Sequence, residues 1–197
     1  MSSSNRHRIV VFGHSYVRRA QAAAPSNLGL HDCSVAFISR GGGSVVFSRD
    51  THCLYNYLPQ VEDFRPNVIF VHAGEVDLHL PRHRLLTALE QFFDTIIGHC
   101  QPAIFIISQL LLFPELEQLR EKVTWINLRL QQYVHRRNVG NNVARRTRLV
   151  FWRHRCGLWG PNSHRLFSSD RTHVNATGMH RYVCSIRTAV GQQIHSA

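Results

Sequence analysis

The chain has 197 residues, 44% of them hydrophobic and 18% charged, a composition typical of a globular protein rather than a disordered one. The longest apolar run, from Ala103 to Phe113, contains two polar residues and is too short to span a membrane. No secretory signal is predicted, because the apolar stretch behind the basic N-terminus covers only Ile9 to Phe12. The expected location is therefore intracellular, most simply the cytoplasm.

The five cysteines are scattered and form no CxxC pair, which argues against a disulfide framework and against a zinc ribbon. His79 and His83 have the spacing of a helical metal pair, but Pro81 lies between them and disfavours a shared helical face. The sequence therefore predicts no metal site.

Basic residues outnumber acidic ones by 23 to 12, which gives a formal net charge of +11. The charge recurs along the chain, for example at Arg145-Arg146 and at Arg153 and Arg155, rather than in one tail. Such an excess attracts polyanions at long range. A nucleic-acid partner and a merely solvated basic surface both remain open.

Five short apolar runs predict β-strands at residues 8–12, 33–38, 67–72, 102–110 and 148–152. Amphipathic patterns predict helices at 82–99, from Pro114 onwards and after Asn175, with a weaker helix within 51–64. Strands that alternate with helices indicate an α/β fold, a mostly parallel five-stranded sheet with helices on both faces. We expect a flexible N-terminus at 1–6 and a single domain over 7–197.

Ligands bind beyond the carboxyl ends of the strands in such sheets, so the residues at those ends are the candidate site. Ser15 follows the first strand on a tight glycine turn, which suits an exposed nucleophile. His173 could take its proton, and Asp170 could orient the imidazole. Glycines 41–43, after the second strand, offer backbone N–H groups to an oxyanion.

Four sequence blocks in this order resemble those of the SGNH (GDSL-type) hydrolases, and together they cover nearly the whole chain. The blocks are Phe12-Gly13-His14-Ser15, Arg40-Gly41-Gly42-Gly43, Gly74-Glu75-Val76-Asp77 and Asp170-Arg171-Thr172-His173. The resemblance implies a flavodoxin-like three-layer sandwich and hydrolysis of a small ester or acylated substrate through an acyl-Ser15 intermediate, without metal or cofactor. It also implies an oxyanion hole formed by the backbone N–H groups of Ser15 and Gly42. Residues 173–182 further resemble invertebrate and retroelement-encoded members.

Two positions depart from the family pattern. Val76 stands where the family has an asparagine that donates to the oxyanion, and loss of such a donor typically lowers the rate by about 10² to 10³. His14 stands where aspartate is usual, which leaves the nucleophile itself unchanged. Asp77 is retained and has either a structural or a chemical role.

Each site residue also has a simpler interpretation. Ser15 could be a helix N-cap, Asp170 a turn or capping residue, His173 a loop histidine bonded to backbone, and the glycine run a flexible turn. Two functions therefore remain. One is a serine esterase. The other is a catalytically weak binding module associated with nucleic acid. The valine at position 76, in place of the family's asparagine, favours this second function.

Overall fold

The computed structural model describes residues 7–112, 114–139, 147–155, 157, 163–170 and 173–196. The expected flexible segment 1–6, the Arg145-Arg146 pair, Cys156 and the central two residues of the last sequence block lie outside these residues.

The sheet has five strands: β1 (His7–Gly13), β2 (Cys33–Ser39), β3 (Val68–His72), β4 (Ile104–Ser108) and β5 (Arg148–Trp152). Their order in the sheet is β2-β1-β3-β4-β5. All four strand pairings are parallel, and the order is that of flavodoxin-like folds. The predicted five-stranded parallel sheet is confirmed.

Helices connect these strands: α1 (Ser15–Ala23), α2 (Leu58–Asp63), α3 (Arg82–Cys100), α4 (Arg120–Val139) and α5 (Ala176–His195). The weak helix predicted within 51–64 is a 3₁₀ turn at Leu54–Tyr57 followed by α2. None of the described helices is long and apolar enough to cross a membrane.

Alternate strand residues face opposite layers, as the period of two for strand side chains requires. Val10 and Phe12 of β1 pack into a cluster with residues of α2, α3 and α4. Ile9 and Val11 pack into a second cluster with residues of α1 and α5. The two clusters place helices on both faces, so the predicted three-layer sandwich is confirmed.

Two predicted elements have wrong boundaries. The fourth strand covers Ile104–Ser108 instead of 102–110. It ends early because the side chain of Asn127 donates to Leu110 O and accepts from Leu110 N, replacing a strand partner. The helix expected from Pro114 begins as a 3₁₀ turn over Pro114–Leu119, and its α-helical part starts at Arg120.

The strand register brings the carboxyl ends of four strands into one row. Gly13 at the end of β1 pairs with His72 at the end of β3, and Ser108 at the end of β4 pairs with Trp152 at the end of β5. Polar groups that follow these strands are therefore neighbours, although they are far apart in sequence.

Candidate active site

The turn between β1 and α1 positions Ser15. Gly13 has φ +156°, and a Cβ there would lie 1.9 Å from the carbonyl oxygen of His72, so only glycine fits. Ser15 is half-buried and is the first residue of α1. The N-cap of α1 is His14, whose ring accepts from Tyr16 N. The interpretation of Ser15 as a helix cap is therefore wrong.

The glycine turn after β2 lies beside the turn that contains Ser15. Arg40 N donates to Gly13 O at 3.0 Å, and Gly43 N donates to Arg40 O at 3.0 Å. Gly42 has φ +69°, a left-handed conformation that favours glycine. Among the described residues, the backbone N–H groups of Ser15 and Gly42 have no hydrogen-bond acceptor. Both remain available to an oxyanion.

Asp77 has a structural role at this turn. It is buried, and its carboxylate accepts from Ser44 Oγ at 2.6 Å and from Val45 N at 2.9 Å. These bonds hold the chain directly after the glycine turn. Val76, the neighbouring residue, is 40% exposed and offers no hydrogen-bond donor from its side chain.

The Asp170–His173 pair is formed in the loop before α5. Asp170 Oδ2 lies 2.7 Å from His173 Nδ1, and Oδ1 accepts from His173 N at 2.9 Å. The carboxylate therefore orients the imidazole and shapes the turn at once. Helix α1 packs against α5, which brings the two parts of the site to one side of the sheet. No hydrogen bond joins Ser15 to His173 within the described chain, so the complete triad stays a prediction.

A second polar cluster, which the sequence analysis did not include, lies directly behind Ser15. The buried carboxylate of Glu75 is 2.7 Å from His14 Nε2 and 2.8 Å from His72 Nε2, and it accepts from Leu111 N at 2.8 Å. Burial raises the pKa of this carboxyl, but the attraction and hydrogen bonds of the two imidazoles outweigh burial and hold the pKa well below its usual range. Glu75 is therefore ionised.

The cluster continues across the ends of β4 and β5. Ser108 Oγ lies 2.9 Å from His72 Nδ1 and 2.8 Å from His154 Nε2. His154 Nδ1 is 2.8 Å from Ser185 Oγ, which accepts from Trp152 Nε1 at 3.0 Å. We call the whole set the buried relay; its members, in order, are Trp152, Ser185, His154, Ser108, His72, Glu75 and His14.

The directions of these hydrogen bonds follow from their two ends. The Trp152 indole can only donate and the Glu75 carboxylate can only accept, so each group between them donates towards Glu75. This assignment needs neutral imidazoles. Burial lowers the pKa of His154 to about 3 and also lowers the pKa of His72, an effect that the attraction of Glu75 offsets only in part. Every polar group of the buried relay from Trp152 to Glu75 thus has a hydrogen-bond partner.

His14, His72 and Glu75 also form the one described group whose ligand atoms could hold a metal ion, since these atoms lie within 4.8 Å of one another. The distances between these nitrogen and oxygen atoms are those of hydrogen bonds and are too short for two ligands of one metal ion. A tetrahedral zinc ion bonded at about 2.0–2.1 Å to a nitrogen and an oxygen would hold the two atoms roughly 3.3 Å apart. The two imidazole nitrogens lie only 2.7 and 2.8 Å from the carboxylate oxygens.

Comparison of the sequence with protein-family models and with curated proteins gives no match. Solved structures are similar in fold. The lipase/acylhydrolase from Enterococcus faecalis has a TM-score of 0.67 and 15% identity, over 95% of this chain and 96% of that chain. The acetylxylan esterase Axe2 from Geobacillus stearothermophilus has a TM-score of 0.63 and 13% identity, over 97% of both chains. This likeness shows the SGNH hydrolase fold; the resemblance to retroelement-encoded members stays a prediction.

Proposed function

We propose that the protein is a serine hydrolase that cleaves a small ester or acylated substrate through an acyl-Ser15 intermediate. The observation that carries this proposal is the position of Ser15 at the start of α1, where its own N–H and that of Gly42 have no acceptor among the described residues and can receive an oxyanion. The formed Asp170–His173 pair and the lipase and esterase fold neighbours support it.

In the proposed reaction Ser15 Oγ attacks the ester carbonyl carbon and gives its proton to an imidazole, with His173 as the acceptor implied by the sequence. The oxyanion receives hydrogen bonds from the N–H groups of Ser15 and Gly42. Collapse breaks the bond to the alcohol, which takes the proton, and water then hydrolyses the acyl-Ser15 ester to release the acid.

A fluorophosphonate probe tests this proposal, because it phosphonylates only an activated serine. We expect wild-type protein to be labelled, and Ser15→Ala to remove both the label and the hydrolysis of p-nitrophenyl acetate. Unlabelled wild-type protein, or equal labelling of the Ser15→Ala variant, would contradict the proposal.

The second candidate is a catalytically weak module that binds a polyanion, such as nucleic acid. The observation that favours it is Val76, whose side chain leaves the proposed oxyanion hole with backbone donors alone. The net charge of +11 fits such a partner. An unreactive Ser15 in the labelling experiment would favour this function.

We also propose an intracellular location. The four cysteines that the structure describes, Cys33, Cys53, Cys100 and Cys184, are all free thiols, the usual state in a reducing compartment.

A further inference from the structure

The hydrogen-bond partner of Ser15 points to a base other than the one that the sequence predicts. Within the described chain, Ser15 Oγ has one imidazole in hydrogen-bond reach, that of His14, with Nδ1 at 3.5 Å. The contact is long, as catalytic contacts often are in a protein without substrate. On the other side of the ring, His14 Nε2 lies 2.7 Å from Glu75 Oε2.

The neighbours of His14 fix which of its nitrogens can act as a base. Nε2 faces the Glu75 carboxylate, which only accepts, so Nε2 bears the hydrogen. Nδ1 lies 3.5 Å from the backbone nitrogen of Tyr16, which only donates, so Nδ1 bears no hydrogen and its single lone pair is shared between Tyr16 N–H and Ser15 O–H. That lone pair faces Ser15 Oγ. Serine, imidazole and carboxylate thus stand in the order that activates a serine nucleophile.

We propose that His14 accepts the proton of Ser15, so that Ser15, His14 and Glu75 form a second triad beside the Asp170–His173 pair. This inference rests on the proposed function. It gives a chemical role to the histidine that replaces the aspartate usual in the sequence block around Ser15.

The proton balance closes over one turnover. Ser15 Oγ bonds to the ester carbon while its proton moves to His14 Nδ1, and Glu75 stabilises the imidazolium. When the tetrahedral intermediate collapses, the bond to the leaving oxygen breaks and the alkoxide takes this proton. Water then attacks the acyl carbon and gives a proton to Nδ1, and the proton returns to Ser15 Oγ as the acid leaves.

Two substitutions remove the basic nitrogen while each keeps a different contact. His14→Asn keeps an oxygen near Nδ1 that can cap Tyr16 N, and His14→Gln keeps an amide N–H directed at Glu75. The measurement is the second-order rate of phosphonylation by the fluorophosphonate probe, with circular dichroism to confirm folding. We expect the second-order rate constant of phosphonylation to fall by about 10²- to 10³-fold in both variants, which is within the range for loss of a general base. His99→Asn, on an exposed histidine of α3, is the matched control.

The pH dependence separates loss of a base from displacement of Ser15. Without an internal base, hydroxide must take the proton, so the rates of both His14 variants should rise about tenfold per pH unit above neutrality. A displaced serine would instead be slow at every pH. Variants labelled at the wild-type rate would overturn the role of His14 and leave the proposed function intact. Failure of the wild-type protein to react at all would overturn both.

Glu75 is a positioning residue, and Glu75→Gln tests it by spectroscopy. A glutamine can accept from His72 and Leu111 only if its N–H₂ group faces His14, which forces the hydrogen of His14 onto Nδ1. Long-range ¹H–¹⁵N spectra of histidine-labelled protein should therefore show the Nε2–H form of His14 in wild type and the Nδ1–H form in Glu75→Gln, with slower phosphonylation. An Nδ1–H form in the wild-type protein would overturn the proposal.

Discussion

Val76 lies in the 3₁₀ turn that follows β3, between the buried residues Glu75 and Asp77. Its two neighbours point inwards and have hydrogen-bond partners, whereas Val76 itself is 40% exposed. A polar side chain at this position would therefore stay in contact with water and would not have to be buried. The turn can accept an amide without loss of packing.

Replacement of Val76 by asparagine should raise the activity of the proposed hydrolase. The added N–H would donate to the developing oxyanion, beside the N–H groups of Ser15 and Gly42. We therefore expect kcat on p-nitrophenyl acetate to rise by up to about 10²-fold. KM should change little, because the bond strengthens in the transition state rather than in the bound ester. Steady-state kinetics measures both constants.

Val46→Asn is the matched control, since Val46 is another exposed valine near the glycine turn. An equal gain in both variants would mean that added polarity, not a placed donor, changes the rate. No gain in a folded Val76→Asn protein whose Ser15 is reactive would show that the donor cannot reach the oxyanion.

At the scale of elements, the buried relay joins the carboxyl ends of four strands, β1, β3, β4 and β5, to α5. His154, which follows β5, bonds to Ser108 at the end of β4 and to Ser185 on α5. Both ring nitrogens are used by the neutral form, and the buried site disfavours protonation. The attachment of α5 to the sheet should therefore depend on pH.

The free energy of unfolding should fall as the medium is acidified. His154 has a pKa of about 3 in the fold against about 6.5 when unfolded, so between these values the unfolded chain binds one more proton. Stability from this group is complete above pH 6.5 and is lost as pH falls towards 3, by about 1.4 kcal/mol per pH unit. Urea unfolding at pH 7 and pH 5 measures the change.

His154→Gln supplies the comparison, because its amide can donate to Ser108 and accept from Ser185 without titrating. His72 and Glu75, the titratable groups of the relay next to this position, remain in both proteins. The variant should lose roughly 2 kcal/mol less than wild type between pH 7 and pH 5. Identical losses would show that His154 does not contribute.

The sequence predicted the elements better than it predicted the site. Apolar runs located all five strands, because a parallel strand buried on both faces is apolar along its whole length. The side-chain amide of Asn127, which ends β4 early, comes from a helix and has no signal in the strand itself. The buried relay as a whole has no local signal in the sequence, since its members Glu75 and His14 lie 61 residues apart. The available signal was polar residues at the ends of apolar strands, His72 and Ser108.

At the scale of the whole molecule, the charge of +11 remains the least explained property. A groove of about 600 Å³ runs along β5 and α5, and its lining includes Trp152, Arg153, Arg155 and Gln192. Arginine and tryptophan are the side chains that contact phosphates and stack on bases in single-stranded nucleic acid. The groove is therefore the described surface to test first.

If the second candidate function is right, the protein should bind single-stranded RNA with an affinity that falls steeply with salt. The logarithm of the association constant should fall with the logarithm of the salt concentration, with a slope of about −0.7 times the number of phosphates contacted, about −3 for four contacts. Arg153→Ala with Arg155→Ala should reduce this slope and weaken binding to all sequences alike. Fluorescence anisotropy of a labelled oligonucleotide gives the constants.

Arg84→Ala with Arg120→Ala, two exposed arginines on α3 and α4, changes the net charge equally and serves as the control. Equal weakening in both pairs would assign binding to the overall charge instead of the groove. No retention of RNA at about 50 mM salt would leave the basic surface without this role.

The fixed direction of the hydrogen bonds in the buried relay has a consequence for how such a sequence can change over evolutionary time. Replacing Ser108 alone would leave a donor on His154 and an acceptor on His72 unpaired in the interior, at a cost of about 1–3 kcal/mol for each group. Exchanging several members together for apolar residues of similar shape avoids that cost. Descendants of this chain should therefore keep the set or lose it in concert, while positions such as Val76 drift singly.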